Sequence, residues 1–226
     1  MLDANVLLPP RLSDVIFDLS CAGLFSAKWT DAIELEFLRN WSVILAAARR
    51  KAFQSTGNRV IAEPADDHLM AVKRLRCFQH AIPEYQVFGY DDESVVKQVP
   101  AAVHQGDRHV AAAAITLLKY VNECSVTDKV FIVSANLKHL AVNDMRAIGI
   151  EVLGPGAFID LLFAAAAEKV DASLKKSLAD LKTPPLTKAD LLAVLRLHGA
   201  QAVVRHYAKA WNVPLAPASQ RRPARL

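Results

Sequence analysis

Lys129-Val130-Phe131-Ile132-Val133-Ser134 holds four consecutive apolar residues, three of them β-branched. A run of this kind reads as a strand covered on both faces, because a half-exposed strand would alternate polar with apolar residues. Before it, residues 107–121 read as a helix capped by Asp107, with small Ala112 and Ala113 allowing close packing against a sheet. After it, residues 137–147 are helical, Gly149-Ile150-Glu151-Val152-Leu153 is strand-like, and Pro155 starts a further helix. Strands alternating with helices predict an α/β fold of three layers, a central, mainly parallel sheet with helices on both sides.

The N-terminal part fits the same scheme. Leu2 to Leu8 is an apolar run closed by Pro9-Pro10 and reads as a strand stopped by a turn. Residues 13–25 follow with Val15, Ile16, Leu19 and Leu24 at helical spacing. Thr30 caps a long helix in which Asp31 and Glu34 suit the first turn and Ile33, Phe37, Trp41, Ile44 and Ala48 recur at helical intervals. Residues 55–58 break that pattern. A helix over 64–80 places Leu69, Val72, Leu75 and Phe78 on one side, and residues 85–90 read as a short strand. Thr183-Pro184-Pro185 marks a boundary. Beyond it Thr187-x-x-Asp190 is a capping box opening a helix through Leu197, Gly199 ends that helix, and residues 200–211 form a second. The organisation is a main α/β domain over 1–165, a helical extension over 166–215 and a basic tail over 216–226.

Composition narrows the function classes. With 226 residues, 53% of them hydrophobic, the chain can bury one substantial core. Cys21, Cys77 and Cys124 are odd in number and far apart, which fits neither a disulfide framework nor a zinc site, and points to a reducing cytoplasm. The first residues have an acid where a signal peptide carries Lys or Arg. The apolar stretches 111–114 and 161–167 fall well short of the roughly 20 residues a membrane span needs, so no membrane partner is expected. The net charge of +4 favours polyanionic partners, with Arg49, Arg50, Lys51 and Arg59 in one cluster, Lys73, Arg74 and Arg76 in a second, and Arg221, Arg222 and Arg225 in the tail. Each cluster also reads as a solvated surface. No G-x-G-x-x-G follows the first strand, which disfavours a nucleotide-binding dehydrogenase.

Ligands of parallel α/β sheets bind beyond the carboxyl ends of the strands, where this chain has Asp3, Asn5, Ser134 and Asn136. Asp3 stands in an apolar segment, where a carboxylate must be paired, hydrogen-bonded or hold a cation, or else cap a turn through its own backbone. Of the acids in the long helix, Glu34 falls among the apolar positions of the wheel and Glu36 on the flank beside Asn40, and the wheel does not choose between them. Asp107 can cap its helix and still face a metal.

Taken in order, Leu2-Asp3-Ala4-Asn5-Val6-Leu7-Leu8-Pro9, the segment 29–40 around Glu36, Gly106-Asp107-Arg108-His109-Val110 and Ile132-Val133-Ser134-Ala135-Asn136-Leu137 resemble the segments of PIN-domain proteins. The likeness runs on through residues 149–159 to Pro184-Pro185-Leu186-Thr187 and covers most of the chain. It is similar to the bacterial VapC-like branch that carries a helical C-terminal extension. The resemblance implies a PIN-like sandwich and favours Glu36 over Glu34. It implies that Asp3, Glu36 and Asp107 bind Mg²⁺ or Mn²⁺ with Asn136 assisting, and that RNA is cut endonucleolytically by metal-activated water, leaving a 5′-phosphate and a 3′-hydroxyl. Arg39, Arg108 and Lys138 then stand near the phosphates. The chain would be the toxin of a VapBC-type toxin–antitoxin pair, held in check by a small protein antitoxin and paired as a homodimer.

The pattern is departed from in two places. Relatives have further acids before the position of Asp107 and one after that of Asn136, where this chain has His104, Gly106 and His139. A ligand set poorer in charge weakens Mg²⁺ and favours Mn²⁺, for which imidazole is a better ligand; His104, His109 and His139 read otherwise as surface histidines, and Asp128 or Asp144 replaces the missing acid only if the fold brings it near. Relatives also have several apolar residues before the first Asp, whereas only Met1 and Leu2 precede Asp3, so the first strand is cut short or the start lies upstream. These departures leave a second reading, a catalytically weakened PIN domain kept as an RNA-binding or protein-interaction module. A third is a DNA-binding regulator acting through the helix pair of residues 187–211.

Overall fold

The computed structural model describes residues 1–56, 64–124, 127–181 and 185–215, with the backbone alone for 48–56 and 64–66. In chain order the elements are α1 (Ala4–Leu7), α2 (Pro10–Cys21), α3 (Asp31–Thr56), α4 (Pro64–Ala81), α5 (Glu93–Val96), α6 (Arg108–Cys124), β1 (Val130–Val133), α7 (Val142–Ala147), β2 (Ile150–Leu153), α8 (Pro155–Ala165), α9 (Ala167–Asp180), α10 (Lys188–Leu197) and α11 (Ala202–Ala210). The described chain is mostly helical. β1 and β2 pair as a small parallel sheet, which is compatible with the α/β class. The elements divide into two units, one built from Met1–Pro9 and Ser26–Val152, the other from Pro10–Phe25 and the chain from Leu153 onward.

In the first unit β1 forms where the β-branched run predicts it, with Val130, Ile132 and Val133 buried. Met1–Asp3 lies along its other edge. Val133 N donates to Met1 O (2.9 Å) and Asp3 N to Val133 O (3.1 Å), so Leu2 bridges Val133 in parallel. Leu2 N donates in turn to Lys28 O (2.8 Å), and Trp29 exchanges backbone hydrogen bonds with Tyr85 (2.9 Å) and Val87 (3.1 Å). The strand expected over residues 2–8 is therefore a correction: Leu2 alone pairs, and from Asp3 (φ −84°, ψ 154°) the backbone turns into α1. A short apolar run has no period that separates strand from helix, and Ala4 and Leu7 are good helix formers behind a short carboxylate at the N-cap position. The strand expected over 85–90 likewise shrinks to one bridge, Trp29 with Gln86.

Thr30 opens α3 as expected, its buried Oγ1 accepting from Ile33 N (3.3 Å), and Ile33, Phe37 and Trp41 are buried below it. In α4 the buried apolar side chains are Ala71, Leu75 and Phe78, while Leu69 is 51% exposed. Stepping by three residues around a helix drifts backward by about 60° each time, which carries Leu69 to the opposite side. α6 starts one residue later than expected, out of a 3₁₀ turn over Gln105–Asp107, and packs its buried Val110-to-Ile115 segment on β1. The helix expected over 137–147 is broken in two, a 3₁₀ turn over Leu137–His139 and α7, by the left-handed backbone of Ala141 (φ 44°).

In the second unit α2, which begins at Pro10 rather than at residue 13, packs on α9. Asp18 accepts from Ser177 Oγ (2.5 Å) and Lys176 Nζ (3.1 Å) there. The capping box is formed: Asp190 N donates to Thr187 Oγ1 (3.1 Å) and Thr187 N to Asp190 Oδ2 (3.2 Å). Gly199 at φ 91° then ends α10. The start of α11 is capped from another helix. Asp160 of α8 accepts from the backbone N–H groups of Gln201 (2.7 Å), Ala202 (2.9 Å) and Val203 (2.9 Å). Asp160→Ala strands these donors and should cost about 2 kcal/mol in urea unfolding, with Asp160→Asn recovering part of it. An unchanged unfolding midpoint would refute that role.

Thr183, Pro184, Arg59 and the tail from residue 216, with the side chains of Arg49, Arg50 and Lys51, lie outside the described residues. Among the described residues no helix is long and apolar enough to cross a membrane.

Candidate functional site

The register of the small sheet positions the first acid. Because Leu2 pairs with Val133, the next residues, Asp3 and Ser134, leave the carboxyl ends of adjacent segments side by side. Ser134 Oγ donates to Asp3 Oδ2 (2.5 Å), and so does Asn5 Nδ2 (2.6 Å) from the first turn of α1. Asn5 Oδ1 accepts from Ala135 N (2.8 Å), and Ser134 Oγ from Asn136 N (2.9 Å). Asn5 and Ser134 thus clamp one carboxylate that is only 1% exposed.

Asp3, Glu36 and Asp107 come from three segments far apart in sequence and act on one another through space. Burial is the main cause that raises the pKa of Asp3 above its ordinary value; the Asp107 charge adds to it, while the Ser134 hydrogen bond and His109 oppose it. Glu36 is raised first by burial, then by the charges of Asp3 and Asp107, with Arg39 opposing. Asp3 and Glu36 therefore both hold their protons more tightly than free carboxyls, from burial first and then from neighbouring negative charge.

Histidines complete the surroundings. His109, in the first turn of α6, brings Nε2 to 3.8 Å from Glu36 Oε2. That nitrogen is buried and finds no hydrogen-bond partner among the described residues. On the outer side, His139 Nδ1 is 3.1 Å and His104 Nδ1 3.8 Å from Asp107 Oδ2. The two imidazole rings stack with centroids 4.5 Å apart, and His104 N donates to His139 O (2.8 Å), which ties the two turns together. Asn136 Nδ2 lies 2.7 Å from His139 Nδ1.

The other residues singled out in the sequence fall as follows. Glu34 is occupied structurally: its Oε1 accepts from Trp29 Nε1 (3.0 Å) and Gln79 Nε2 (2.8 Å). Arg39 is exposed and acts on Glu36, Lys138 is exposed between Asn136 and His139, and Arg108 donates to Val96 O (3.1 Å). Asp128 and Asp144 are exposed. The sequence reading missed the pairing of His104 and His139 around Asp107. The spacing His104-x-x-Asp107 was its one visible sign, since His139 arrives from 32 residues away.

No family model, curated protein or solved structure matches the chain.

Proposed function

We propose that this chain is a metal-dependent endoribonuclease of the PIN type, acting as the toxin of a VapBC-like pair in the bacterial cytoplasm. The observation that carries the reading is the mutual electrostatic action of Asp3, Glu36 and Asp107. Like charges held together and partly desolvated are costly, and a cation is the usual reason for keeping them. The donor type suits one: carboxylate oxygens match Mg²⁺ or Mn²⁺, the orphaned, buried Nε2 of His109 lies 3.8 Å from Glu36 Oε2, and Asp107 also belongs to the one group of possible ligands that the described residues bring within 4.8 Å, with His104 and His139. When bound, the ion would supply positive charge against the scissile phosphate and acidify an attacking water.

The chain's own groups take the remaining tasks. Asn5 and Ser134 fix Asp3 Oδ2, so its position costs no ordering during reaction. His109 Nε2, 3.8 Å from Glu36 Oε2, stands beside the carboxylates as the group that could exchange a proton with an attacking water. Arg39 and Lys138 are exposed to meet RNA phosphates. A small antitoxin protein would act by covering these residues, and a homodimer is part of the same reading.

The test is RNA cleavage with Mg²⁺ or Mn²⁺, chelator controls and end-group analysis. The expected products carry a 5′-phosphate, and Asp107→Asn should cost at least about 100-fold in rate. No metal-dependent cleavage, cleavage unaffected by Asp107→Asn, or a 2′,3′-cyclic phosphate product would each overturn the proposal. The weakened, RNA-binding reading is favoured by one observation, the imidazole of His139 lying where a further acid would be expected. The DNA-reader reading is disfavoured by Asp160. That carboxylate covers the N-terminus of α11, the end that a recognition helix turns toward bases.

A further inference from the structure

Asp107 acts through its charge on Asp3 and Glu36 and stands beside two imidazoles. One ring nitrogen each from His104 and His139 and a carboxylate oxygen of Asp107 lie within 4.8 Å of one another. We propose that His104, Asp107 and His139 form a second cation site that selects a first-row transition ion, with Co²⁺ and Zn²⁺ ahead of Mn²⁺ and Mg²⁺ last. This goes beyond the nuclease reading and holds whether or not the chain cuts RNA.

Two features of the cluster carry it. Ligands at about 2.1 Å from one ion sit roughly 3.0–3.4 Å from each other in octahedral or tetrahedral geometry. His139 Nδ1 to Asp107 Oδ2 is 3.1 Å and His104 Nδ1 to the same oxygen 3.8 Å; His104 Nδ1 accepts from Gly106 N (3.2 Å), so the ion takes that lone pair in place of the N–H or the exposed ring turns to offer Nε2. The second feature is a conflict at His139. Its Nδ1 touches Asn136 Nδ2 (2.7 Å), a donor, and Asp107 Oδ2 (3.1 Å), an acceptor, although a neutral ring nitrogen can be only donor or acceptor. A turned Asn136 amide resolves the conflict with Nδ1 as a donor, and a cation resolves it with Nδ1 as an acceptor, its lone pair and the carboxylate both facing the ion. Turning the Asn136 amide would then present Oδ1 as an additional ligand.

The chemistry sets the selectivity. Two imidazoles and one carboxylate are a borderline donor set, favoured by ions late in the first row and poor for Mg²⁺. The backbone bond from His104 N to His139 O holds the two ligand-bearing turns together without the ion, so the site is largely preformed. The side chains of His104 and His139 are 59% and 45% exposed, which leaves an ion access and lets either be replaced without disturbing the core.

Co²⁺ titration of the full chain, followed by visible absorption, tests the site. The expected result is a nitrogen-ligated spectrum that excess Mg²⁺ does not erase, with affinity reduced at least about 10-fold in both His104→Ala and His139→Ala. Wild-type-like binding in either variant, or full displacement by Mg²⁺, overturns the proposal. Electron spin echo modulation of Mn²⁺ adds a second readout: imidazole nitrogen coupling that persists in His109→Ala supports the site, and coupling lost with His109, or water protons alone, overturns it. A chain that holds Co²⁺ in this way yet cuts no RNA refutes the nuclease reading and leaves the second site standing. A chain that cuts RNA with Mg²⁺ and binds Co²⁺ equally well without its histidines does the reverse.

Discussion

Asp3→Asn should abolish metal-dependent RNA cleavage and at the same time make the metal-free protein more stable. Both effects have one cause, a carboxylate that is 1% exposed and repelled by Asp107. Its pKa is raised above the ordinary 3.8, so the folded chain holds this proton to higher pH than the unfolded chain. The associated stability is then complete below 3.8 and lost as pH rises through the folded-state pKa. Above the folded-state pKa the folded protein carries the cost of a buried charge. Glu36, raised from 4.5, adds a contribution of the same sign. Asparagine removes the charge, and its Oδ1 can still accept from Asn5 and Ser134. A gain in stability is expected that grows as pH rises and vanishes toward pH 3.

Saturating Mg²⁺ or Mn²⁺ should reverse the order, because an ion bound only by the folded wild type stabilises it by mass action. Thermal melts of both proteins with and without metal, at pH 4 and pH 7, check every part. A variant less stable than wild type in the metal-free state at pH 7 would show that Asp3 is a structural hydrogen-bond partner and not a charge kept for a cation.

How far the sequence could be read follows from the range of each signal. β1 and the caps at Thr30 and Thr187 were legible because their cause is local: a β-branched run, or a hydroxyl three residues before the N–H it caps. Leu2–Leu8 was misread because its partners, Val133 and Lys28, lie elsewhere in the chain, and only they decide that the pairing stops at Asp3. The site shows the same divide. Asp3, Glu36 and Asp107 could be singled out as residues, but Asn5 and Ser134 acquire their roles from the parallel register. His109 read as a surface histidine because nothing near it in sequence shows that α6 turns its Nε2 inward, toward Glu36.

Gly156→Ala should be the most damaging single-methyl change in the second unit. A Cβ at this position would lie 2.0 Å from Ala200 N, 2.2 Å from the carbonyl carbon of Gly199 and 2.4 Å from His198 O. All three are backbone atoms, which cannot swing aside as a long side chain would. Gly156 N also donates to His198 O (3.0 Å), so the first turn of α8 is fastened where the methyl must go. The glycine is needed for closeness rather than for an unusual backbone angle. Asp160 stands four residues on, one turn along the same face of α8, and holds the N–H groups of residues 201–203. Pushing α8 off the α10–α11 turn therefore breaks those bonds as well. A loss of about 3–5 kcal/mol and a fall of roughly 10 °C in Tm are expected. Because the two residues secure one contact, Asp160→Ala should cost less in the Gly156→Ala background than alone, a coupling that a double-mutant cycle measures directly. A Tm within a degree of wild type, or strictly additive losses, would mean that this turn is not the joint between α8 and α11.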